Sequence, residues 1–469
     1  MVNPESDKLT WIVTVGKRIS ADLPSFRWPL SCEFETHTVT RYKSQLQGTS
    51  SDYLGVPPWG HANPPLSEDA PPSRFERWAL RKLLTLLGNP AIQFVLWDGE
   101  KLPDFSAPLT RRLHIYDRHT LWRLVINPDL HFGDAFTRGA LDVEGDLVSF
   151  LETVYRSAPT ANRQHPLARV LGQWRNRARP NTKAGACTNI NHHYDLGNDF
   201  FQLWLDEEMV YTCAYFSSPT LSLEQAQRAK MDYVCRKLRL QPGETVIEAG
   251  CGWGALARHM ARQYGVKVRA FNLAHEQIRY AHDRAAAEGL GHQVEYIEDD
   301  YRNITGHCDV FVSVGMLEHV GLANYQTLGG IIDQCLAARG RGLVHSIARN
   351  QPRPMNAWIE RRIFPGSYPP TLREMTKVFE PWGFSVLDVE NLRLHYAKTL
   401  EHWLTRFDAH QDTVCERFDE DFVRAWRLYL AGSLAGFTTG WLQLFQVVFT
   451  RPGLNNIAWT RDHLYEQRT

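Results

Sequence analysis

The chain has 469 residues, which is too long for one ordinary hydrophobic core, so two domains are expected and three are possible. With 43% apolar and 22% charged residues, the composition is that of a globular protein. Lysine plus arginine equals aspartate plus glutamate at 52 each, so no overall field attracts the chain to nucleic acid, and any attraction to an anionic surface must come from local patches. The eight cysteines include no C-x-x-C pair, which argues against a disulfide framework or a zinc cage and favours a reducing compartment.

Residues 1–73 are interpreted as an N-terminal extension that ends in a linker. The stretch YLGVPPWGHANPPLSEDAPPS is rich in proline and has no helical or strand periodicity. The N-terminus lacks a charged segment followed by a long apolar one, so it does not resemble a signal peptide. We therefore expect a cytoplasmic protein.

Residues 74–158 predict a small α+β domain, because FERWALRKLLTLL has apolar residues at helical spacing and FVLW and HIYD are short strand candidates. A basic linker helix is predicted over residues 159–185, where Leu167, Val170, Leu171 and Trp174 form one apolar stripe beside several arginines. Two interpretations of this segment stay open. It is either a helix docked on the protein with a solvated basic face, or a surface that contacts anionic phospholipid headgroups.

The largest domain is predicted over residues 186–453, with a C-terminal tail over 454–469. From residue 243 strands alternate with helices, which predicts a parallel sheet covered on both faces that binds ligands at the carboxyl ends of its strands. Residues 428–450 carry no charge, and their length alone permits a membrane span. Thr438, Thr439, Gln443 and Gln446 would be costly in hydrocarbon, and the pattern ends in alternation, so we predict a helix followed by a strand.

A glycine-rich turn, EAGCGWG at 248–254, follows the first strand of this domain. Its spacing, G-x-G-x-G, differs from the dinucleotide fingerprint, so we expect a ligand without a pyrophosphate. Glu248, two residues before Gly250, suits a ligand with an ammonium group, such as S-adenosylmethionine. A tight strand-to-helix turn that binds no ligand is the alternative.

Six motifs occur in a fixed order along the chain: HHYDLGNDFF (192–201), YTCAYF (211–216), EAGCGWG (248–254), DYR (300–302), VGMLEHVG (314–321) and LVHSI (343–347). With these motifs the chain resembles the cyclopropane-fatty-acyl-phospholipid synthase family, to which the mycolic-acid methyltransferases are related, over roughly residues 74–453. The resemblance implies an α/β fold: a seven-stranded, Rossmann-like S-adenosylmethionine methyltransferase domain preceded by a small α+β lipid-binding domain. It also implies an activity on double bonds of acyl chains in membrane phospholipids.

The resemblance further implies which residues bind S-adenosylmethionine. The glycines would hold its methionine portion, Tyr211 and Thr212 would close over it, and Asn272 and Gln277 would face the ribose. The family more often has threonine at the position of Asn272, although an amide also hydrogen-bonds a hydroxyl. The expected cofactor-binding residues are Tyr194, Tyr211, Thr212, Glu248, Gly250, Gly252, Gly254, Asn272, Leu273, Gln277, Asp300 and Tyr301.

An isolated alkene is a poor nucleophile, so the enzyme must hold the methyl group close to it and stabilise the resulting cation, for which aromatic faces are suited. Ring closure then needs a base, and the resemblance implies a bound bicarbonate ion. The matching catalytic residues are Cys213, Glu318, His345, Ile347 and Tyr396. We expect the backbone N–H groups of Cys213 and Ile347 to bind the anion and the pKa of Glu318 to be raised.

Structural alternatives exist for several of these residues. Cys213 would also suit a small buried apolar position, and Glu318 a helix N-terminus. Tyr215 and Phe216 are predicted to line the route of the acyl chain. No metal site is expected, because His192 and His193 lack a third ligand at suitable spacing.

Three other functions stay open. After a hydride shift the same cation can lose a proton elsewhere and give a methylene-branched chain, which a partner reductase would reduce to a methyl branch. Alternatively, the protein can methylate a small molecule, or it can bind lipid without catalysis. For the favoured reading the expected partners are unsaturated phospholipids at the inner face of the plasma membrane, with peripheral association. A homodimer is implied by the resemblance, and no nucleic acid is expected.

Overall fold

The computed structural model describes residues 53–55, 69–104, 111–164 and 196–465, all within one compact unit that spans Gln47–Thr469. The predicted extension over 1–73 and the basic linker helix predicted over 159–185 lie mostly outside the described residues, and Tyr194, His192 and His193 lie outside them altogether.

The small domain consists of a four-stranded sheet and four helices. Its strands are β1 Gln93–Val95, β2 Lys101–Leu102, β3 Arg112–Ile115 and β4 Leu141–Glu144, in the order β2-β1-β3-β4. Its helices are α1 Arg74–Leu86, α2 Arg118–Ile126, α3 Pro128–Thr137 and α4 Leu147–Gln164. A capping box between Ser73 and Glu76 begins α1. The domain boundary placed at residue 158 falls inside α4.

The large domain is built on a seven-stranded sheet, which confirms the predicted fold class. Its strands are β5 Thr245–Ala249, β6 Lys267–Asn272, β7 Val294–Glu298, β8 Cys308–Val314, β9 Leu336–Ala348, β10 Ser385–Asn391 and β11 Gln443–Thr450, in the order β10-β11-β9-β8-β5-β6-β7. The expectation of a parallel sheet needs one correction, because β11 is antiparallel to both β9 and β10. The chain order reverses on either side of β5, so a ligand crevice lies at the carboxyl ends of β5 and β8.

Helices surround this sheet: α5 Asn198–Gln202, α6 Leu223–Leu238, α7 Ala255–Tyr264, α8 His275–Ala287, α9 Leu317–Val320, α10 Tyr325–Cys335, α11 Leu372–Met375, α12 Arg393–Ala409, α13 Gln411–Arg417 and α14 Glu420–Thr438. A π-helical turn spans Ile359–Ile363, and short 3₁₀ turns span Tyr301–Asn303, Leu322–Asn324, Thr376–Val378, Glu380–Trp382 and Asp462–Leu464.

The uncharged segment over 428–450 forms the end of α14 and then β11, which confirms the predicted helix and strand. Helix α14 packs against α3 and α4 of the small domain and against α12 of the large one. One apolar core therefore continues from Phe136 and Phe150 to Trp204 and Trp426. Among the described residues, no helix is both long enough and apolar enough to span a bilayer.

Candidate active site

A cavity of about 1190 Å³ extends from the small domain to the carboxyl ends of the strands in the large sheet. At the sheet it is lined by Tyr211, Thr212, Glu248, Gly250, Gly252, Asn272 and Gln277 from the predicted cofactor set, and by Glu318, His345, Ile347 and Tyr396 from the predicted catalytic set. In the small domain its lining is mainly apolar, with Leu83, Phe94, Leu124, Phe132, Phe150 and Val154, and it also includes Asn127 and Asp129. The two predicted sets therefore meet in a space that continues into an apolar compartment.

The glycine-rich turn between β5 and α7 follows a path that favours glycine. Gly252 has φ of 54°, and a Cβ there would meet nothing within 4 Å, so the backbone is open to the cavity at this point. Gly254 has φ of 77°, and a Cβ there would lie 2.5 Å from the Tyr296 hydroxyl, which itself donates to the Gly254 carbonyl at 2.9 Å. Gly252 thus leaves room for a ligand, whereas Gly254 is required by packing.

Glu248 is buried at the end of β5, and its Oε2 has no hydrogen-bond partner among the described residues. Burial raises the pKa of Glu248 to about 8, against the opposing fields of Lys230 and Arg258. A cationic ligand group beside this carboxylate would favour its ionised form. The open turn and the unpartnered carboxylate together fit the ammonium-bearing cofactor expected from the sequence.

Lys230 of α6 also lines the cavity, and the sequence analysis missed it. Its Nζ donates to Thr212 Oγ1 at 2.8 Å, and burial lowers the pKa of its ammonium to about 8. One signal was present in the sequence, since Lys230 lies four residues after Ala226 and four before Val234, on the buried face of α6. A cation at a core-facing helical position is a candidate functional residue.

The remaining residues of the predicted cofactor set are only partly brought together. Asn272 Nδ2 donates to Gln277 Oε1 at 2.7 Å, and both side chains line the cavity. Leu273, Asp300 and Tyr301 are not part of the lining. Asp300 instead caps the turn Tyr301–Asn303 by accepting from the N–H of Arg302.

Tyr211 stands in an aromatic wall. Its hydroxyl lies 2.7 Å from the Tyr429 hydroxyl, and its ring contacts Phe201, Trp204 and Trp403 at centroid distances of 5.6, 5.2 and 5.3 Å. Tyr396 is held close by, with its ring 4.6 Å from Phe437 and 5.9 Å from Trp403. Electron-rich ring faces, which attract cations, are therefore grouped at this end of the cavity, where Tyr211, Tyr396, Tyr429 and Phe437 line it.

Glu318 and Ile347 are in direct contact. The N–H of Ile347 donates to Glu318 Oε1 at 2.5 Å, whereas Glu318 Oε2 is buried without a hydrogen-bond partner in the described part of the chain. Burial raises the pKa of Glu318 to about 7, opposed by backbone hydrogen bonds that include the one from Ile347. The direction agrees with the sequence expectation, but its cause is burial.

His345 is held as a neutral imidazole. It lies in β9 directly opposite Gln446 of β11, and Gln446 Nε2 is 3.1 Å from its Nδ1. Burial, together with the positive charges of Lys230 and Lys237, lowers the pKa of His345 to about 3. With the amide oriented so that Nε2 faces the ring, Nδ1 accepts a hydrogen bond and the imidazole proton stands on Nε2.

The structure does not bring the Cys213 side chain into the cavity. The thiol is fully buried and donates to the Ala214 carbonyl at 3.1 Å. Tyr215 and Phe216 are also outside the lining, because Tyr215 stacks between Tyr233 and His395 and Phe216 stacks on His402. The predicted route of the acyl chain past these two aromatic residues is therefore wrong.

Comparison with known proteins agrees with this arrangement. Residues 181–447 match the family model described as mycolic acid cyclopropane synthetase. A "Probable fatty acid methyltransferase" of Pseudomonas putida is 36% identical over 388 residues, which cover 80% of this chain and 96% of that protein. The cyclopropane-fatty-acyl-phospholipid synthase of Escherichia coli strain K12 is 39% identical over 270 residues, which cover 57% of this chain and 69% of that protein.

Among solved structures, mycolic acid cyclopropane synthase CmaA1 complexed with SAH and CTAB superposes with a TM-score of 0.54 at 30% identity, covering 56% of this chain and 98% of that one. A seven-stranded sheet of this order, with a glycine-rich turn after its first strand, defines the class of S-adenosylmethionine-dependent methyltransferases. The chain belongs to the mycolic acid cyclopropane synthetase family and is an S-adenosylmethionine-dependent methyltransferase.

Proposed function

We propose that this methyltransferase adds a methylene carbon to the cis double bond of an unsaturated phospholipid acyl chain and so forms a cyclopropane ring. The observation that carries the proposal is that one cavity is lined by the glycine-rich turn, by Glu318, His345 and Tyr396, and by the apolar interior of the small domain. A polar small molecule would not need the apolar compartment. A lipid-binding protein without catalysis would not need the buried polar groups.

S-adenosylmethionine supplies an electrophilic methyl group when bound. On this proposal Gly250 and Gly252 hold its methionine portion, and Glu248 receives its ammonium group. Lys230 fixes the orientation of Thr212 through the 2.8 Å hydrogen bond, so that Thr212 and Tyr211 close over the donor. Asn272 and Gln277 act as one hydrogen-bonded unit toward the ribose.

Tyr211 and Tyr396, whose rings line the cavity, would stabilise the cation that forms on the acyl chain. Each aromatic face attracts a nearby positive centre by about 0.5–2 kcal/mol, with the larger values in a dry site. Aromatic ring faces are suited to this task because a carbocation alkylates them less readily than it would a carboxylate or a thiol. The burial of the Cys213 thiol, away from the cavity, is consistent with this requirement.

Glu318, His345 and Tyr396 would hold the bicarbonate that removes the final proton. His345 acts as a neutral donor through Nε2, and Glu318, with its pKa of about 7, can share a proton with the anion instead of repelling it. The N–H of Ile347 is occupied by Glu318 Oε1. Anion binding at this N–H would therefore require the Glu318 carboxylate to turn away, and the part assigned to the Cys213 N–H remains a prediction.

A second product is a methylene-branched acyl chain, formed when the same cation undergoes a hydride shift and then loses its proton elsewhere; a separate reductase would have to reduce this olefin to give a methyl branch. This alternative is favoured by the name of the Pseudomonas putida relative, a fatty acid methyltransferase. The ring is preferred here because Glu318, His345 and Tyr396 are all present and all line the cavity. Peripheral association with the inner face of the plasma membrane and a homodimer are part of the proposal and rest on the family resemblance.

The test is product analysis. Purified protein is incubated with vesicles of a cis-monounsaturated phospholipid and S-adenosylmethionine, and the released fatty acids are examined by mass spectrometry. Cyclopropanation adds the mass of one CH₂ group and removes the olefin. Addition of that mass with an olefin retained would show the branched product, and no change of mass would contradict the proposal.

A further inference from the structure

The outward face of α1 combines large apolar side chains with cations. Positions 74, 75, 78, 81, 82, 85 and 86 follow helical spacing along one side and read Arg, Phe, Trp, Arg, Lys, Thr and Leu. Phe75, Trp78 and Leu86 are 61%, 51% and 45% exposed. The acidic residue of the helix, Glu76, is buried and paired with Arg118 Nε at 2.7 Å, so the face itself carries no negative charge.

The apolar part of this face is organised and extends onto α2. The Phe75 ring stacks on Trp78 at 5.4 Å and contacts Trp122 at 5.6 Å. Ile126, at the end of α2, is 56% exposed and continues the patch. The opposite side of α1 is fixed in the core by residues such as Leu80, so these side chains cannot turn inward. A contiguous exposed patch of this kind indicates an interaction surface.

The cavity opens in the same face. Leu83, Leu86 and Leu87 of the α1 end and Leu124, Val125 and Ile126 of α2 all line it. Leu86 and Ile126 are at once cavity-lining and exposed, so the gap between the ends of α1 and α2 is a mouth of the cavity. An acyl chain that enters there reaches the apolar compartment of the small domain first and the glycine-rich turn last.

The charged residues of this face indicate that its partner is anionic. Arg74, Arg81 and Lys82 are exposed, and none of them forms an ion pair with a described residue. Three cations around exposed aromatic rings, with no acid among them, complement a surface that is apolar beneath and anionic above. An anionic phospholipid bilayer has this arrangement, since its phosphates lie over its acyl chains.

We propose that this α1 face, formed by Arg74, Phe75, Trp78, Arg81, Lys82, Leu86 and Ile126, lies on an anionic phospholipid bilayer and passes an acyl chain directly into the cavity mouth. The aromatic rings enter the boundary between headgroups and acyl chains, and the cations contact lipid phosphates. The inference rests on the proposed function, because the lipid delivered is the substrate of that reaction.

The first test is vesicle flotation of the full-length chain with phosphatidylcholine vesicles, with or without phosphatidylglycerol. The double variant Phe75→Gln/Trp78→Gln is expected to bind at least tenfold more weakly. Its matched control is Trp459→Gln, which removes a fully exposed tryptophan of the C-terminal segment and is expected to bind like the unaltered chain. Lys82→Glu is expected to reduce binding only when phosphatidylglycerol is present, and Lys267→Glu, at an exposed position on β6, is expected to have no effect. Unchanged binding by the double variant would overturn the proposal.

The second test separates this surface from the catalytic proposal. Turnover is measured on vesicles and on a short-chain unsaturated phospholipid below its critical micelle concentration, with thermal unfolding as a check of folding. The double variant is expected to lose at least tenfold on vesicles and to match the unaltered chain on the monomeric lipid. Equal loss on both substrates would overturn the docking role. If the unaltered chain methylates neither lipid while vesicle binding still depends on Phe75 and Trp78, the proposed function fails and the membrane surface stands.

Discussion

Glu318 Oε1 accepts a 2.5 Å hydrogen bond from the N–H of Ile347, while Glu318 Oε2 stays buried without a partner among the described residues. One oxygen of the carboxyl group is thus anchored to β9, and the other is left to share a proton. Such an arrangement fits a group that holds or moves a proton in the cavity.

Replacing Glu318 with glutamine keeps the shape and the anchoring oxygen but removes the titrating site. We expect Glu318→Gln to lower kcat at least about 100-fold, the usual scale for loss of an acid–base group. Binding of S-adenosylhomocysteine, followed by thermal shift, should be unchanged. Glu380→Gln, at an exposed position, is the control. Full activity of Glu318→Gln would remove this residue from the catalytic set.

The pH dependence of stability tests the burial of the same carboxyl group. Its pKa rises from 4.5 to about 7, so between these pH values the folded protein keeps a proton that the unfolded chain releases. The free energy of unfolding therefore falls as pH rises through this window. The free energy of unfolding of Glu318→Gln, measured in urea and compared with that of the unaltered chain, should therefore rise by about 2–3 kcal/mol between pH 5 and pH 8. A difference that does not change with pH would mean that the Glu318 carboxyl group is solvated.

Lys230 is predicted to fix the position of the Thr212 side chain and to offset the negative charge of Glu248. Lys230→Gln removes the buried ammonium group that donates to Thr212. This group is also the charge that contributes most to lowering the pKa of Glu248. We expect the Kd for S-adenosylhomocysteine to rise about tenfold, or about 1.4 kcal/mol, by isothermal titration calorimetry. Lys267→Gln serves as the exposed control. An unaltered Kd would restrict Lys230 to a packing role.

Gly252 and Gly289 form a matched pair for testing the glycine-rich turn. Both have positive φ, 54° and 70°, and a Cβ at either would meet nothing within 4 Å. Alanine at either position therefore carries a similar backbone penalty of about 1–2 kcal/mol. Only Gly252 lines the cavity, so Gly252→Ala should weaken S-adenosylhomocysteine binding at least about tenfold, whereas Gly289→Ala should not. Equal Kd values would show that the donor does not contact this turn.

Local motifs made part of this site predictable. The turn over Gly250–Gly254 could be predicted because it is formed by consecutive residues, and its glycines permit the positive φ angles that it requires. Gln446 was recognised as too polar for a membrane span. Its partner His345, however, is 101 residues away, and only the register of β9 and β11 brings the two side chains together.

Other features depended on tertiary structure. Alternation in QLFQVVFT identified β11 as a strand but not its direction, because period-two patterning is the same in parallel and antiparallel pairs. The sequence motif that contains Tyr211 also led to the prediction that Tyr215 and Phe216 line the route of the acyl chain. Consecutive residues of an irregular segment point to different sides, and these two rings stack on His395 and His402 instead.

The measurement that tests the central claim most directly is a crystal structure of the protein with S-adenosylhomocysteine and a phospholipid brominated at the double-bond carbons of one acyl chain. The account predicts anomalous bromine peaks inside the cavity, between the turn at Gly250–Gly252 and the side chains of Glu318, His345 and Tyr396. Bromine peaks outside this cavity, with the donor bound at the turn, would contradict it.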